Sequence, residues 1–97
     1  MIVVVATIED VTDAGAKLLD ACYDFLKKNY PGTRLERLTS MSGKQGIRLA
    51  IWWHASLGAK EAYDAKLNAD PGWLKLFKDA GPGTLWTQRD DYYTVVE

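Results

Sequence analysis

The residues best suited to chemistry lie in one apolar stretch, "IRLAIWWHA" at positions 47–55. His54 is the single histidine of the chain, and a histidine with an ordinary pKa of about 6.5 can act as a general base near neutral pH. Arg48 could hold a carboxylate or an enolate. These two residues are the catalytic candidates. Each also has a plain structural interpretation, as a partly exposed histidine at a strand end and as a surface or interface arginine.

The β-branched and aromatic composition of this stretch predicts a strand, in which successive side chains point to opposite faces. Alternation places one mixed aromatic and polar set on the first face, Arg48, Ala50, Trp52 and His54, and an apolar set on the second, Ile47, Leu49, Ile51 and Trp53. Only the first set has the composition of a ligand pocket. The second suits a dry interface between subunits. The opposite assignment of the two faces stays open.

Trp52 is a candidate pocket wall, with a core position beneath the second helix as its alternative. Three aromatic residues on the predicted second helix, Tyr63, Trp73 and Phe77, suit packing against the sheet and could line the same cavity. The candidate ligand-binding set is therefore Trp52, His54, Arg48, Tyr63, Trp73 and Phe77.

The rest of the pattern predicts the elements that position these residues. Strands are expected at 2–8, 33–41 and 47–55, and the end of the chain holds one strand or two short ones around residues 89–91. A first helix follows a cap at Asp10, Thr12 or Asp13 and ends near residue 29. The second helix starts at Ser56 or Gly58 and is broken at Asp70-Pro71, a cap followed by a helix-starting proline.

The order βαββαβ in 97 residues predicts a single ferredoxin-like α+β domain over residues 1–97. Its four-stranded antiparallel sheet carries both helices on one face, with the first and third strands in the middle. These two strands are apolar on both sides, so the open face would leave a large apolar surface in water. We therefore expect a homodimer that packs sheet to sheet.

Composition excludes several functions. With 12 Lys and Arg against 13 Asp and Glu and no basic run, the chain lacks the charge of a nucleic-acid or anionic-membrane binder. It has no membrane-length apolar run and no signal-peptide pattern at its start, so we expect a cytoplasmic protein. One cysteine and one histidine exclude a zinc site of the usual kind. We expect no metal and no cofactor.

The segment 51–73, "IWWHASLGAKEAYDAKLNADPGW", resembles the second half of NIPSNAP-type domains. These belong to the dimeric α/β-barrel superfamily, which includes cofactor-free antibiotic-biosynthesis monooxygenases. The matching positions are Ile51-Trp52, Ser56-Leu57, Lys60, Ala62, Ala65, Leu67, Ala69-Asp70-Pro71 and Trp73. The resemblance implies a dimeric α/β barrel with a ligand site between the sheet and helices of each subunit.

The departures from the family pattern also carry information. Residues 1–45 match in element order only, and His54-Ala55 stand where the pattern commonly has an aromatic and an acidic residue. In haem-degrading relatives the iron ligand is a histidine on the second helix. This chain has no histidine in that region, so the resemblance argues against a haem role. Monooxygenase members combine a polar residue on the first strand with a tryptophan on the third strand. In this chain the nearest candidates for these two positions are Thr7 and Trp52.

Three functions remain. The first is a small homodimeric protein that binds an apolar or aromatic molecule. The second is a non-enzymatic dimerisation or interaction module of NIPSNAP type. The third is a cofactor-independent monooxygenase or isomerase that uses His54 and Arg48. The sequence leaves open whether the protein is an enzyme.

Overall fold

A computed structural model describes residues 1–96, which form four strands and three helices. In chain order they are β1 (Ile2–Glu9), α1 (Asp13–Asn29), β2 (Arg34–Thr39), β3 (Arg48–His54), α2 (Leu57–Asn68), α3 (Pro71–Asp79) and β4 (Thr87–Thr94). The strands form one antiparallel sheet in the order β2-β3-β1-β4. The predicted ferredoxin-like α+β fold is confirmed, with the two most apolar strands in its centre. The end of the chain forms one strand, β4, rather than two.

Side-chain caps fix where each helix begins. Thr12 accepts a hydrogen bond from the Gly15 amide at 3.0 Å, and Ser56 accepts one from the Ala59 amide at 3.1 Å. Asp70 caps α3, whose first residue is Pro71. These contacts satisfy amides that the helix itself leaves unpaired. Of the alternatives that the sequence offered, Thr12 caps the first helix and Ser56 the second, and the predicted break at Asp70-Pro71 is confirmed.

The sheet has an inner face, which packs against the helices, and an outer face. On the inner face β1 and β3 pair Val4 with Trp52 and Ala6 with Ala50, and residues directly opposite each other share a face. Ala6 is 1% exposed and Ala50 is 9% exposed. The helices contribute the buried side chains of Leu18, Leu26 and Leu67 to this side.

The outer face consists of the alternate residues of the same strands. Its centre is apolar, with Val3 and Val5 from β1 and Leu49, Ile51 and Trp53 from β3. Two large apolar side chains at its flanks are half exposed, Leu38 at 47% and Tyr93 at 55%. All three helices of residues 1–96 pack on the inner side, so nothing in this part of the chain covers the outer face. None of these helices has the length and apolar character needed to span a membrane.

Candidate ligand pocket between sheet and helices

A cavity of about 560 Å³ lies between the inner face and the helices. The cavity forms where the inner face of β3 carries a small side chain, Ala50, between two large ones, Arg48 and Trp52. Its size falls within the range of small-molecule sites, roughly 300–1,000 Å³. Most of its walls are apolar or aromatic: Ile8, Leu19, Cys22, Tyr23, Leu26, Leu35, Ala50, Trp52, Trp73, Phe77 and Trp86.

The polar groups of this cavity gather at one end. The register places Thr39, Arg48, Ile8 and Gln88 in one row across the four strands, and all four line the cavity. Arg48 makes no ion pair with any residue of 1–96. A permanent charge without a partner at the end of an apolar cavity suits an anionic or strongly polar ligand group.

A second arginine in the lining, Arg37, is already engaged. Its guanidinium lies 2.5 Å from the Asp20 carboxylate and 4.9 Å from the centre of the Tyr23 ring. These contacts tie β2 to α1 and close one side of the cavity. Arg37 is therefore a wall residue, which leaves Arg48 as the available cation at this end.

A smaller cavity of about 270 Å³ continues beyond Trp52 and Trp73, which border both spaces. Its lining is more polar than that of the first: Val4, His54, Lys60, Tyr63, Asp64, Leu67, Asn68, Asp90 and Tyr92 contribute, with Leu26 and Gln88 shared. Lys60 pairs with Asp64 one turn along α2 and lies 5.0 Å from the centre of the Tyr92 ring. The two cavities form one cleft with an apolar compartment and a polar compartment.

His54 stands at the far end of this polar compartment. Its ring centre lies 5.4 Å from that of Tyr63. Burial lowers the pKa of His54 below its ordinary value, nearby Asp64 opposes the change, and Lys60 adds to it. A lowered pKa keeps the imidazole neutral at pH 7, so one ring nitrogen can accept a proton.

The structure separates the two catalytic candidates. Arg48 and His54 share the inner face but occupy opposite ends of β3. At about 3.3 Å per residue they are roughly 20 Å apart along the strand. They line different cavities, so they cannot act together on one atom of a small substrate. The predicted use of both residues in one reaction is not supported by this geometry.

The structure brings the other candidates to the cleft. Trp52 lies on the inner face and Trp53 on the outer face. This settles which face of the sheet carries each tryptophan, which the sequence left open. Arg48 and Phe77 line the apolar compartment, His54 and Tyr63 line the polar one, and Trp52 and Trp73 border both. Their roles in ligand binding stay predictions.

Sequence reasoning missed the part of the wall that α1 and the segment before β4 provide. Cys22 and Tyr23 come from α1, and Trp86 comes from the segment before β4. The helical spacing of Leu18, Leu19, Cys22 and Leu26 indicates an inward stripe but not the empty space beside it. Burial raises the pKa of the Cys22 thiol to about 11, so this residue is a protonated, apolar wall group.

Asp70 positions the aromatic wall contributed by α3. Its carboxylate accepts hydrogen bonds from the Gly72 amide at 2.9 Å and from the Trp73 amide at 3.4 Å. The Trp73 ring centre lies 5.2 Å from that of Phe77 and 5.8 Å from that of Phe25. The break between α2 and α3 thus turns these rings toward the sheet.

No metal centre is formed by the part of the chain that the structure describes. Residues 1–96 contain no group of three or more histidine, cysteine, aspartate or glutamate side chains placed to hold an ion. The Lys60 and Asp64 side chains satisfy each other in the polar compartment.

Comparisons with known proteins support the fold. No protein-family model and no curated protein sequence matches the chain. Among solved structures, it is similar to an uncharacterised NIPSNAP domain protein from Burkholderia xenovorans, with a TM-score of 0.75 and 20% identity over 99% of this chain and 95% of that one. A NIPSNAP family protein of unknown function from Agrobacterium tumefaciens gives a TM-score of 0.73 and 20% identity, over 96% of this chain and 86% of the other.

A candidate antibiotic biosynthesis monooxygenase from Deinococcus radiodurans gives a TM-score of 0.66 and 18% identity, over 100% of this chain and 94% of that one. The predicted resemblance to NIPSNAP-like and monooxygenase-like domains is thereby confirmed at the level of the fold. At identities this low, the substrate or reaction of a similar protein cannot be assigned to this chain.

Proposed function

We propose that this chain is a homodimeric protein that binds a small apolar or aromatic molecule between its sheet and helices. The observation that carries the proposal is the 560 Å³ cavity, whose apolar and aromatic walls end at Arg48. A ligand with a flat body beside Trp52 and Trp73 and a polar or anionic group near Arg48 matches this lining.

Calorimetric titration with 2-naphthol and 1-naphthoate tests the ligand proposal. Both compounds have a flat aromatic body, and only the carboxylate form suits Arg48 fully. We expect saturable binding of both compounds, and Ala50→Leu should abolish that of uncharged 2-naphthol, because the added side chain projects from the cavity floor. Ile51→Leu is the matched control, since Ile51 lies on the outer face. Absence of binding for both compounds, or equal 2-naphthol binding by the Ala50→Leu variant, contradicts the proposal.

The apolar outer face of the sheet is the basis for proposing a homodimer. Its apolar centre of Val3, Val5, Leu49, Ile51 and Trp53 lies between flanks that carry Leu38 and Tyr93. A second copy of the same face would bury both surfaces at once, as a two-fold interface requires. An exposed apolar sheet of this extent is typical of association surfaces.

Sedimentation equilibrium tests this association. We expect a species of twice the 10.9 kDa chain mass at micromolar concentration. Ile51→Glu should produce monomers, because Ile51 lies between Val5 and Glu36 in the middle of the outer face and a carboxylate there would be buried without a partner. Leu57→Glu is the control, since Leu57 is 51% exposed at the start of α2. A stable monomer of the unmodified chain would refute the dimer. A dimer without any ligand response would favour the interaction-module alternative.

A second candidate function is proton abstraction by His54, as in an isomerase or a cofactor-independent monooxygenase. The observation that favours it is the lowered pKa of His54 beside the polar compartment, which keeps a proton acceptor available at pH 7. Oxygen uptake with 1-naphthol tests the monooxygenase form. Uptake by the unmodified chain that His54→Gln removes would support it, and uptake that is absent or independent of His54 would contradict it.

A further inference from the structure

A third cavity, of about 310 Å³, lies outside the cleft, where the turn between α1 and β2 meets the ends of β3 and α2. Six side chains give it its character: Tyr30, Arg34, Trp53, His54, Tyr63 and Lys66. It shares His54 and Tyr63 with the polar compartment and shares no lining residue with the apolar compartment. Neither the proposed ligand nor the sequence motifs account for this space.

Two cations of the lining are held in place by aromatic rings. The guanidinium carbon of Arg34 lies 4.4 Å from the centre of the Trp53 ring, and the Lys66 ammonium lies 5.5 Å from that of Tyr30. Neither forms an ion pair with a residue of 1–96. Because cation–π contacts leave the hydrogen-bond donors of both groups free, these charges are positioned without being neutralised.

The lining contains no carboxylate. Asp70, which lies outside the lining, accepts the Tyr30 hydroxyl at 2.7 Å and caps α3, so both of its oxygens are engaged. Asp64, which acts on His54 and Tyr63, is paired with Lys60. Lys66 is close enough to help lower the pKa of Asp70, but as the weakest of the causes. Thr33 and Tyr63 add hydroxyl groups that lie 2.9 Å apart. The cavity thus combines two cations, hydroxyl donors and aromatic walls.

We propose that this cavity is a second binding site, which takes the oxyanion of a small molecule, a carboxylate or a phosphate, on Arg34 and Lys66. Arg34 offers the paired N–H groups that match two oxygens of either anion, and Lys66 adds a second charge. Tyr30, Trp53 and Tyr63 flank the body of the ligand. The site excludes Arg48, so it is tested separately from the proposed ligand pocket. Arg34 begins β2 and Trp53 lies one residue before the end of β3, which places the site at the end of the outer face, at the edge of the proposed homodimer interface.

His54 provides a direct measurement, because it is the only histidine and gives one imidazole signal. We would titrate the chain with inorganic phosphate and with benzoate at constant ionic strength, using chloride as the balancing anion, and follow the His54 ring by NMR. An oxyanion in the cavity should move this signal saturably and raise the pKa of His54. Saturation by phosphate or benzoate supports the site and tells which oxyanion it prefers.

Three variants locate the anion. Arg34→Gln and Lys66→Gln should each weaken binding about tenfold, the loss expected for one charge-assisted contact. Arg89→Gln on the opposite edge strand is the charge-matched control and should bind as the unmodified chain does. No saturable shift beyond that of chloride would overturn the proposal. Binding that Lys60→Gln removes and Arg34→Gln leaves intact would place the anion in the polar compartment and overturn it as well.

Discussion

The Tyr30 hydroxyl donates a hydrogen bond of 2.7 Å to the Asp70 carboxylate, which joins the end of α1 to the start of α3. The same carboxylate caps α3 through the Gly72 and Trp73 amides. One side chain thus sets both the position of α3 and the place of Trp73 in the cleft. Stability, pH dependence and the shape of the pocket are coupled at this contact.

Acid should weaken the contact between Tyr30 and Asp70. The Tyr30 hydrogen bond lowers the pKa of Asp70, burial opposes it, and the Gly72 and Trp73 amides lower it further. The folded state therefore favours the ionised carboxyl, so its contribution is present above the unfolded pKa of about 3.9 and is lost as pH falls through the lower folded value. We expect Asp70→Ala to lower the thermal midpoint at pH 7 and to flatten its fall between pH 5 and 2.

Tyr30→Phe separates the two roles of Asp70. It removes the hydroxyl contact and leaves the cap, so the midpoint should fall less than in Asp70→Ala. Thermal unfolding monitored by circular dichroism measures both variants. Equal midpoints for Tyr30→Phe and the unmodified chain would contradict the coupling of α1 to α3.

His54 should make stability depend on pH near neutrality. Burial lowers its pKa in the folded state from the ordinary 6.5, with Asp64 opposing. The unfolded chain therefore binds more protons below about pH 6.5, and stability falls as pH drops through this window and levels off below the folded pKa. Denaturant unfolding between pH 8 and 5 should show this slope. The His54→Gln variant should lack it, and an identical slope in both proteins would exclude His54 as its source.

Gly15 should tolerate no side chain. A Cβ atom there would collide with the Leu85 carbonyl oxygen, and Leu85 precedes the cavity-lining Trp86. Because the obstacle is backbone, we expect Gly15→Ala to cost about 2 kcal/mol of unfolding free energy. Gly58→Ala on α2 is the matched control, since its Cβ would meet only Ser56 Oγ at 3.8 Å. It should be neutral or stabilising by up to about 1 kcal/mol. Urea unfolding measures the unfolding free energy of both variants. Equal changes in the two would contradict the close packing at Gly15.

Adjacent tryptophans should respond oppositely to truncation. Trp52→Ala leaves a hole against Ala6, Ile8 and Ala50, and should lower the unfolding free energy by roughly 3 kcal/mol while the subunits still associate. Trp53→Ala should weaken association more than it destabilises the fold. Sedimentation and denaturant unfolding separate the two effects. If Trp52→Ala lost association and Trp53→Ala kept it, the inner face, and not the outer one, would be the interface.

Cys22 should report on the cavity that it lines. With its pKa raised to about 11, little thiolate exists at pH 8, and alkylation should be about a hundredfold slower than for a free cysteine. A ligand in the cavity should slow the reaction further, because Cys22 lines it. Iodoacetamide labelling followed by mass spectrometry measures both rates. Fast labelling would contradict the burial of this thiol.

Sequence reasoning could predict the elements because their signals are local. Thr12, Ser56 and Asp70-Pro71 mark helix starts, and the two-sided apolar strands at 2–8 and 47–55 require central positions. The face of Trp52 depends on where α1 and α3 pack, which no local pattern contains. The same holds for the cavity walls from Cys22, Tyr23 and Trp86, which come together only through tertiary packing.

The separation of Arg48 from His54 could not be predicted for a different reason. Alternation gives the face of a strand but says nothing about distance, and the two residues occupy opposite ends of β3. The Arg34 and Lys66 cavity also escaped prediction, because its residues come from a turn, two strands and a helix.

The proposed ligand pocket is tested most directly by the indole N–H signals of the four tryptophans. Trp52, Trp73 and Trp86 line the apolar compartment, whereas Trp53 lies on the outer face. On titration with uncharged 2-naphthol, we expect saturable shifts of the first three signals with one common affinity and no shift of Trp53. Unchanged spectra, or a shift confined to Trp53, would contradict the pocket between sheet and helices.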